Sequence, residues 1–181
     1  IHAPTIVSRN RMKGAMLAEV MGCDVIIMDD GLQNNTLHKD FSILVIDSQF
    51  GTGNGYVLPA GPLREPLEDA QSRSNLIVHA GTANITSHHD KTKQYYGFAG
   101  IGYPEKFKKT LIENGFFLTG FKGFADHHVY KHSDIQKLKD LAGNATLITT
   151  EKDFVKIPLT LQAGIDVVRI AHDIENRDEI V

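Results

Sequence analysis

The sequence predicts an α/β fold with a mostly parallel sheet, and three observations carry that expectation. Apolar runs of strand length recur between turn signals, helix-like stretches with capping residues lie among them, and the runs are apolar on both faces. Strands buried on both sides by crossover helices have that appearance, whereas half-solvated antiparallel strands alternate.

Taken in order, residues 13–21 read as the first helix. Residues 25–28 (Val-Ile-Ile-Met) read as a buried strand that ends in Asp29 and Asp30, and residues 43–46 as a second strand that ends in Asp47. Residues 76–78 and 96–99 are further strand-length runs. Residues 104–114 form a helix that opens on Pro104 and is closed by Gly115, the usual asymmetry of helix ends. A helix over 134–141 is started by Ser133 and closed by Gly143, and strands over 145–148 and 165–170 complete the series. Polar residues crowd between Ala80 and Gln94, so the expected organisation is a lobe over 1–80, a linker over 81–94 and a second, smaller α/β lobe over 95–181.

Composition narrows the function classes. A chain of 181 residues with 41% hydrophobic and 23% charged content can bury a core. Its formal charge of -3, without a block of like charges, gives no footprint for nucleic acid. The single cysteine, Cys23, cannot form an internal disulfide or a cysteine-ligated zinc site, which fits a reducing compartment. No run approaches the roughly 18 apolar residues of a spanning helix, so any membrane contact is expected to be peripheral or made by residues outside this sequence. The opening residues, Ile1-His2-Ala3-Pro4, read as an extended segment entered partway along a longer chain.

Several constellations could carry chemistry. Asp29-Asp30-Gly31 places two carboxylates before a sharp turn, where open parallel sheets gather ligands. Such a carboxylate can hold magnesium against nucleotide phosphates, or it can be a solvated turn. Downstream, the stretch from Phe50 to Leu67 holds Pro59, Pro62 and Pro66, half of the six prolines in the chain. Proline lowers the entropy cost of ordering, so this loop could aim Arg64 at a phosphate and Glu65 at a metal. It could equally be a stiff connector whose Arg64 and Glu65 pair with each other. Asp126-His127-His128 sets an aspartate beside two histidines, of which at most one would face a pocket if the segment is extended. His88 and His89 lie in the polar stretch and read as solvated. Gly100-Ile101-Gly102 lacks the third glycine and the lysine of a phosphate loop and reads as a tight connection. Thr150-Glu151-Lys152-Asp153 reads as the cap of a short helix, with Lys152 open to an anion.

In combination, Asp29-Asp30-Gly31-Leu32-Gln33, Asn54-Gly55 and Leu58-Pro59-Ala60-Gly61-Pro62-Leu63-Arg64-Glu65-Pro66 resemble the signature of the lipid A 4'-kinases. Val7-Ser8-Arg9, Phe98 to Pro104, Phe124 to His128 and Thr150 to Asp153 extend the resemblance over nearly the whole chain. It implies a P-loop kinase-like first lobe and transfer of the ATP γ-phosphate to the 4'-hydroxyl of an acylated glucosamine disaccharide phosphate. The place implied is the cytoplasmic face of the bacterial inner membrane. By the same resemblance Asp30, with Asp29 beside it, looks like the nucleotide- and magnesium-linked aspartate, and Glu65 like a second metal carboxylate. Arg64 and Gln33 look like active-site polar residues, His127 like the histidine assisting the catalytic base, and Asp126 like its orienting neighbour. Leu32, Gln33 and Asn34 stand where the family usually has Phe-Gln-His, and Ala125 replaces a frequent proline. No G-x-x-x-x-G-K-[ST] sequence is present, so the 181 residues alone are expected to be inactive. The readings that compete with this are a P-loop GTPase or ATPase switch and a non-catalytic binding module.

Overall fold

A computed structural model describes residues 3–48 and 51–174. Ile1, His2 and Phe50, named above, lie outside the described residues. The chain divides into two compact units, one of the residues up to Gly81 together with Ile174, the other of Thr82–Asp173.

In the first unit, helix α1 (Arg11–Val20) starts where the Asn10 side chain accepts a hydrogen bond from the Lys13 amide at 3.1 Å. Strand β1 (Ile43–Asp47) pairs in parallel with the beginning of β2 (Leu76–Ile85), Ile43 opposite Leu76 and Asp47 opposite Ala80. Between them lies α2 (Leu67–Ser72), which follows Pro66 and carries Glu68 and Asp69 in its first turn.

The expected strand over 25–28 is absent. Val25, Ile26 and Ile27 are 76%, 48% and 92% exposed, and no strand among the described residues pairs with them. An apolar run becomes a strand only when neighbours supply its ladder and cover its faces, which composition cannot guarantee. Asp29 and Asp30 therefore stand in a turn rather than at a strand end.

The second unit contains a four-stranded sheet of order β4-β3-β5-β6, made of β3 (Gln94–Ala99), β4 (Phe117–Gly123), β5 (Thr146–Thr150) and β6 (Ile165–Val168). All three ladders are parallel. Helix α3 (Pro104–Glu113) connects β3 to β4, and α4 (His132–Ala142) connects β4 to β5 past β3. Connections leaving in opposite directions with one hand put the helices on opposite faces. The core accordingly has two layers. Tyr95, Phe107, Leu111 and Ile148 pack together in one, and Phe98, Ile135, Leu138 and Leu147 in the other. Adjacent residues such as Leu147 and Ile148 enter different layers, as the period of a strand requires.

Strand β4 is not among the expected runs, and Phe117-Leu118-Thr119-Gly120-Phe121 carries a glycine in mid-run. The glycine has a packing reason: a Cβ on Gly120 would overlap the Tyr96 ring. A bulge at Tyr95–Tyr96 leaves Thr119 without a ladder partner, and its hydroxyl donates to the Tyr95 carbonyl at 3.2 Å. The single run over 165–170 resolves into β6 and β7 (Ile170–Ile174), and β7 neighbours β2 rather than β5. Helix α4 begins at His132, with Lys131 rather than Ser133 as its cap.

Candidate active site

In the first unit two distant stretches are tied by their side chains. Arg64 Nη1 donates to both carboxylate oxygens of Asp30 at 2.8 Å. Gln33 Nε2 donates to Glu65 Oε1 at 2.8 Å, and Arg73 forms an ion pair with Glu65 Oε2. Arg64 and Glu65 thus take different partners instead of each other. Asp30 adopts a left-handed backbone, φ 51°, rare for a residue with a side chain. Its turn is packed locally, since a Cβ on Gly31 would meet the Met28 side chain at 2.6 Å.

The proline-containing loop reaches Arg64 by folding back on itself. Leu58 N–H donates to the Leu63 carbonyl at 2.8 Å, Leu63 N–H to the Tyr56 carbonyl at 3.2 Å, and Asn54 Nδ2 to the Ala60 carbonyl at 2.8 Å. Gly61 sits at the crossing, where a Cβ would overlap Asn54 Oδ1 and the Tyr56 carbonyl. Only glycine allows that approach.

Asp29, Asp30, Gln33 and Arg64 are exposed, and Glu65 is half-buried. Among the described residues no group of three or more His, Cys, Asp or Glu side chains is gathered as a metal centre. The Asp30 and Glu65 carboxylates are hard oxygen donors, and they suit magnesium, which takes one or two carboxylates and completes its shell with water and phosphate.

In the second unit the turn after β4 separates the two histidines. His127 has φ 58°, its side chain is 76% exposed, and its Nε2 lies 3.6 Å from Asp126 Oδ2. Asp126 Oδ1 also accepts from the His127 amide at 2.9 Å. His128 turns inward, stacked on Phe124 with ring centroids 4.5 Å apart and with Nε2 3.2 Å from Asp134 Oδ2. Asp134 accepts the Lys131 amide at 2.9 Å as well, and that hydrogen bond, followed by the His128 interaction, holds its carboxyl below the usual range. One histidine is thereby exposed beside Asp126 while the other fixes the turn. A turn, not the alternation of a strand, divides them.

His89 departs from the solvated reading. Its side chain is 8% exposed, its Nε2 lies 2.7 Å from Ser87 Oγ, and its ring packs against Phe116. Lys152 is exposed, and Thr150 caps α5 (Glu151–Phe154) by accepting the Asp153 amide at 3.1 Å. The sequence places Asp153 in a helix cap and in the family motif without a role of its own, and it does not single out Tyr130. Asp153 is wholly buried, and its carboxylate accepts from the Gly100 amide at 3.0 Å.

The family model described as Tetraacyldisaccharide-1-P 4'-kinase matches residues 1–96 and 84–180. A tetraacyldisaccharide 4'-kinase of Methylobacterium radiotolerans is 39% identical, over 93% of this chain and 59% of its own length. One of Paramagnetospirillum magneticum is 40% identical, over 94% and 60% respectively. The fold is similar to a crystal structure of LpxK from Aquifex aeolicus, an "apo" form in complex with ATP. That similarity has a TM-score of 0.67 at 23% identity, covers 94% of this chain and 60% of that one, and speaks to the fold alone. The chain thus spans about three-fifths of the length of the curated relatives it matches. On the family match, this chain belongs to the tetraacyldisaccharide-1-P 4'-kinase family.

Proposed function

We propose that this chain forms the metal- and base-bearing part of a kinase that transfers the γ-phosphate of ATP to the 4'-hydroxyl of a tetraacyldisaccharide 1-phosphate in lipid A synthesis. The observation that carries the reading is the cross-tie of Asp30 to Arg64 and of Gln33 to Glu65. It gathers two carboxylates, a guanidinium and an amide from stretches more than 30 residues apart in sequence, a mixture suited to a metal–phosphate ligand.

In the transfer the 4'-oxygen bonds to the γ-phosphorus, the bond to the β–γ bridging oxygen breaks, ADP leaves, and the hydroxyl proton passes to a base. Asp30, with Asp29 beside it, and Glu65 would hold magnesium, and the cation would supply neutralisation of phosphate charge during the transfer. Arg64 presents its fork to phosphate oxygens, and Gln33 keeps Glu65 oriented. His127, backed by Asp126, assists removal of the hydroxyl proton. Positioning and electrostatics contribute most of the rate. The first unit is read as part of a P-loop kinase-like lobe, with work at the cytoplasmic face of the bacterial inner membrane through peripheral contact. Among the described residues no helix is long and apolar enough to cross a membrane.

The test is phosphoryl transfer from labelled ATP to tetraacyldisaccharide 1-phosphate. A family-length polypeptide containing this sequence should label the acceptor and release little phosphate without it. Nucleotide hydrolysis that ignores the acceptor would instead mark a switch ATPase or GTPase. The 181 residues alone should give no transfer, since their sequence has no phosphate-binding loop.

A further inference from the structure

In the sheet order β4-β3-β5-β6 the connections run one way from β3 and the other way toward β5, so the reversal falls between the carboxyl ends of β3 and β5. Doubly wound sheets take ligands at such a reversal. Here the chain's own side chains fill the place. Asp153 is wholly buried and accepts from the Gly100 amide at 3.0 Å and the Thr150 hydroxyl at 2.9 Å. Lys156 Nζ lies 3.0 Å from Asp153 Oδ1 and donates to the Gly100 carbonyl at 3.2 Å. Both backbone polar groups of Gly100 are thereby held, one by the carboxylate and one by the ammonium.

Gly100 in turn supports the turn after β4. A Cβ there would come within 3.1 Å of His128 Cβ and of Tyr130 Oη, and 3.3 Å of the Ala125 carbonyl. The Phe124 amide donates to the Ala99 carbonyl at 2.8 Å. The residues flanking His127 are thus seated on β3's exit, while His127 keeps a left-handed φ of 58°. A strained backbone persists only where its surroundings over-determine it.

We propose that Asp153, paired with Lys156, is a positioning residue that sets the Asp126–His127 turn through Gly100. The proposal rests on the reading of His127 as the residue that assists the base. Capping α5 accounts for only part of the Asp153 carboxylate: Oδ2 accepts from the cap residue Thr150 but also from the Gly100 amide, and Oδ1 faces Lys156. The carboxylate reaches 53 residues back along the chain to Gly100.

Amide hydrogen exchange in the 181-residue chain tests the clamp without reference to catalysis. Asp153→Ala should speed exchange at Gly100, Phe124 and His128 at least tenfold, and at Leu111 in α3 less than twofold. Lys156→Met, at a partly exposed position, gives the same pattern more weakly should Asp153→Ala fail to fold, and Lys156→Arg restores protection. Equal acceleration at all four amides, or none, overturns the proposal. In the family-length kinase, Asp153→Ala and Lys156→Met should lower kcat at least tenfold with KM for ATP within twofold. If His127→Ala abolishes turnover while both clamp variants keep the wild-type kcat, positioning is overturned. If His127→Ala keeps the wild-type kcat while the exchange pattern holds, the catalytic reading of His127 falls and the clamp stands.

Discussion

Arg64 Nη1 lies 2.8 Å from both carboxylate oxygens of Asp30, joining residues 34 apart in sequence. Both side chains are more than half exposed, so the pair contributes at most about 1 kcal/mol to stability. Activity and stability should separate here. In a family-length kinase Asp30→Ala should lower kcat by about 100-fold or more, the scale of losing one pre-aimed electrostatic group. Its unfolding midpoint should move by no more than a few degrees. Steady-state rates beside thermal melts check this, and a wild-type rate rejects Asp30 as a metal-linked residue.

His127 holds a left-handed backbone that costs a side-chain-bearing residue about 1–2 kcal/mol. Glycine removes that cost and adds entropy to the unfolded chain. His127→Gly should therefore leave stability unchanged or raise it by up to about 1 kcal/mol, while lowering kcat severely. Denaturant unfolding of the variant reads the first effect, and a loss beyond about 1 kcal/mol would show that the ring is needed for packing.

Asp134 links acid stability to the start of α4. Its carboxyl is held below the ordinary value of 3.8, first by the Lys131 amide. A depressed carboxyl stabilises the fold fully above the unfolded value, and the contribution is lost as pH falls through the lower folded value. Asp134→Ala should cost about 1 kcal/mol at neutral pH, as loss of a helix-start acceptor does. The difference from wild type should shrink below pH 3.8. Urea titrations at several pH values follow it, and a difference that grows in acid contradicts the assignment.

Alkaline behaviour is set by two buried tyrosines. Burial, then the charge of Asp166, pushes the Tyr95 hydroxyl from 10.0 up to about 12. Burial and the Asp153 charge push Tyr130 up as well, and its hydroxyl has no hydrogen bond of standard geometry among the described residues. A raised folded value gives stability that is intact below the unfolded value and lost as pH rises through the folded one. The second unit should thus lose stability above pH 10, and Tyr95→Phe should flatten that loss. Absorbance titration of tyrosinate beside circular dichroism distinguishes this from ionisation in the folded state, which would appear as titration of all five tyrosines before unfolding.

Helix ends were the most legible part of the fold. Pro104 opens α3, Gly115 lies just past its cap, and Gly143 closes α4, because capping involves only neighbours along the chain. The signature residues Asp30, Gln33, Arg64 and Glu65 were also readable as a set, although not their pairing. Strands were less legible. Residues 25–28 have the composition of a buried strand and no ladder, while Phe117–Gly123 has a glycine in mid-run and forms one. Whether a strand exists depends on a partner distant in sequence. His89 was read from its polar neighbours, and it is Phe116 and Asp166 that enclose it.

By itself the sequence determined the α/β class, the helix boundaries set by proline and glycine, and the motif that marks the family. Only the tertiary structure decided that Asp30 turns to Arg64, that His127 faces out while His128 faces in, and that Asp153 is buried beneath Gly100. The first group rests on torsional preferences and hydrogen bonds within a few residues. The second rests on the burial of Asp153, on how a turn directs His127 and His128, and on contacts across 34 to 53 residues that no local preference sets.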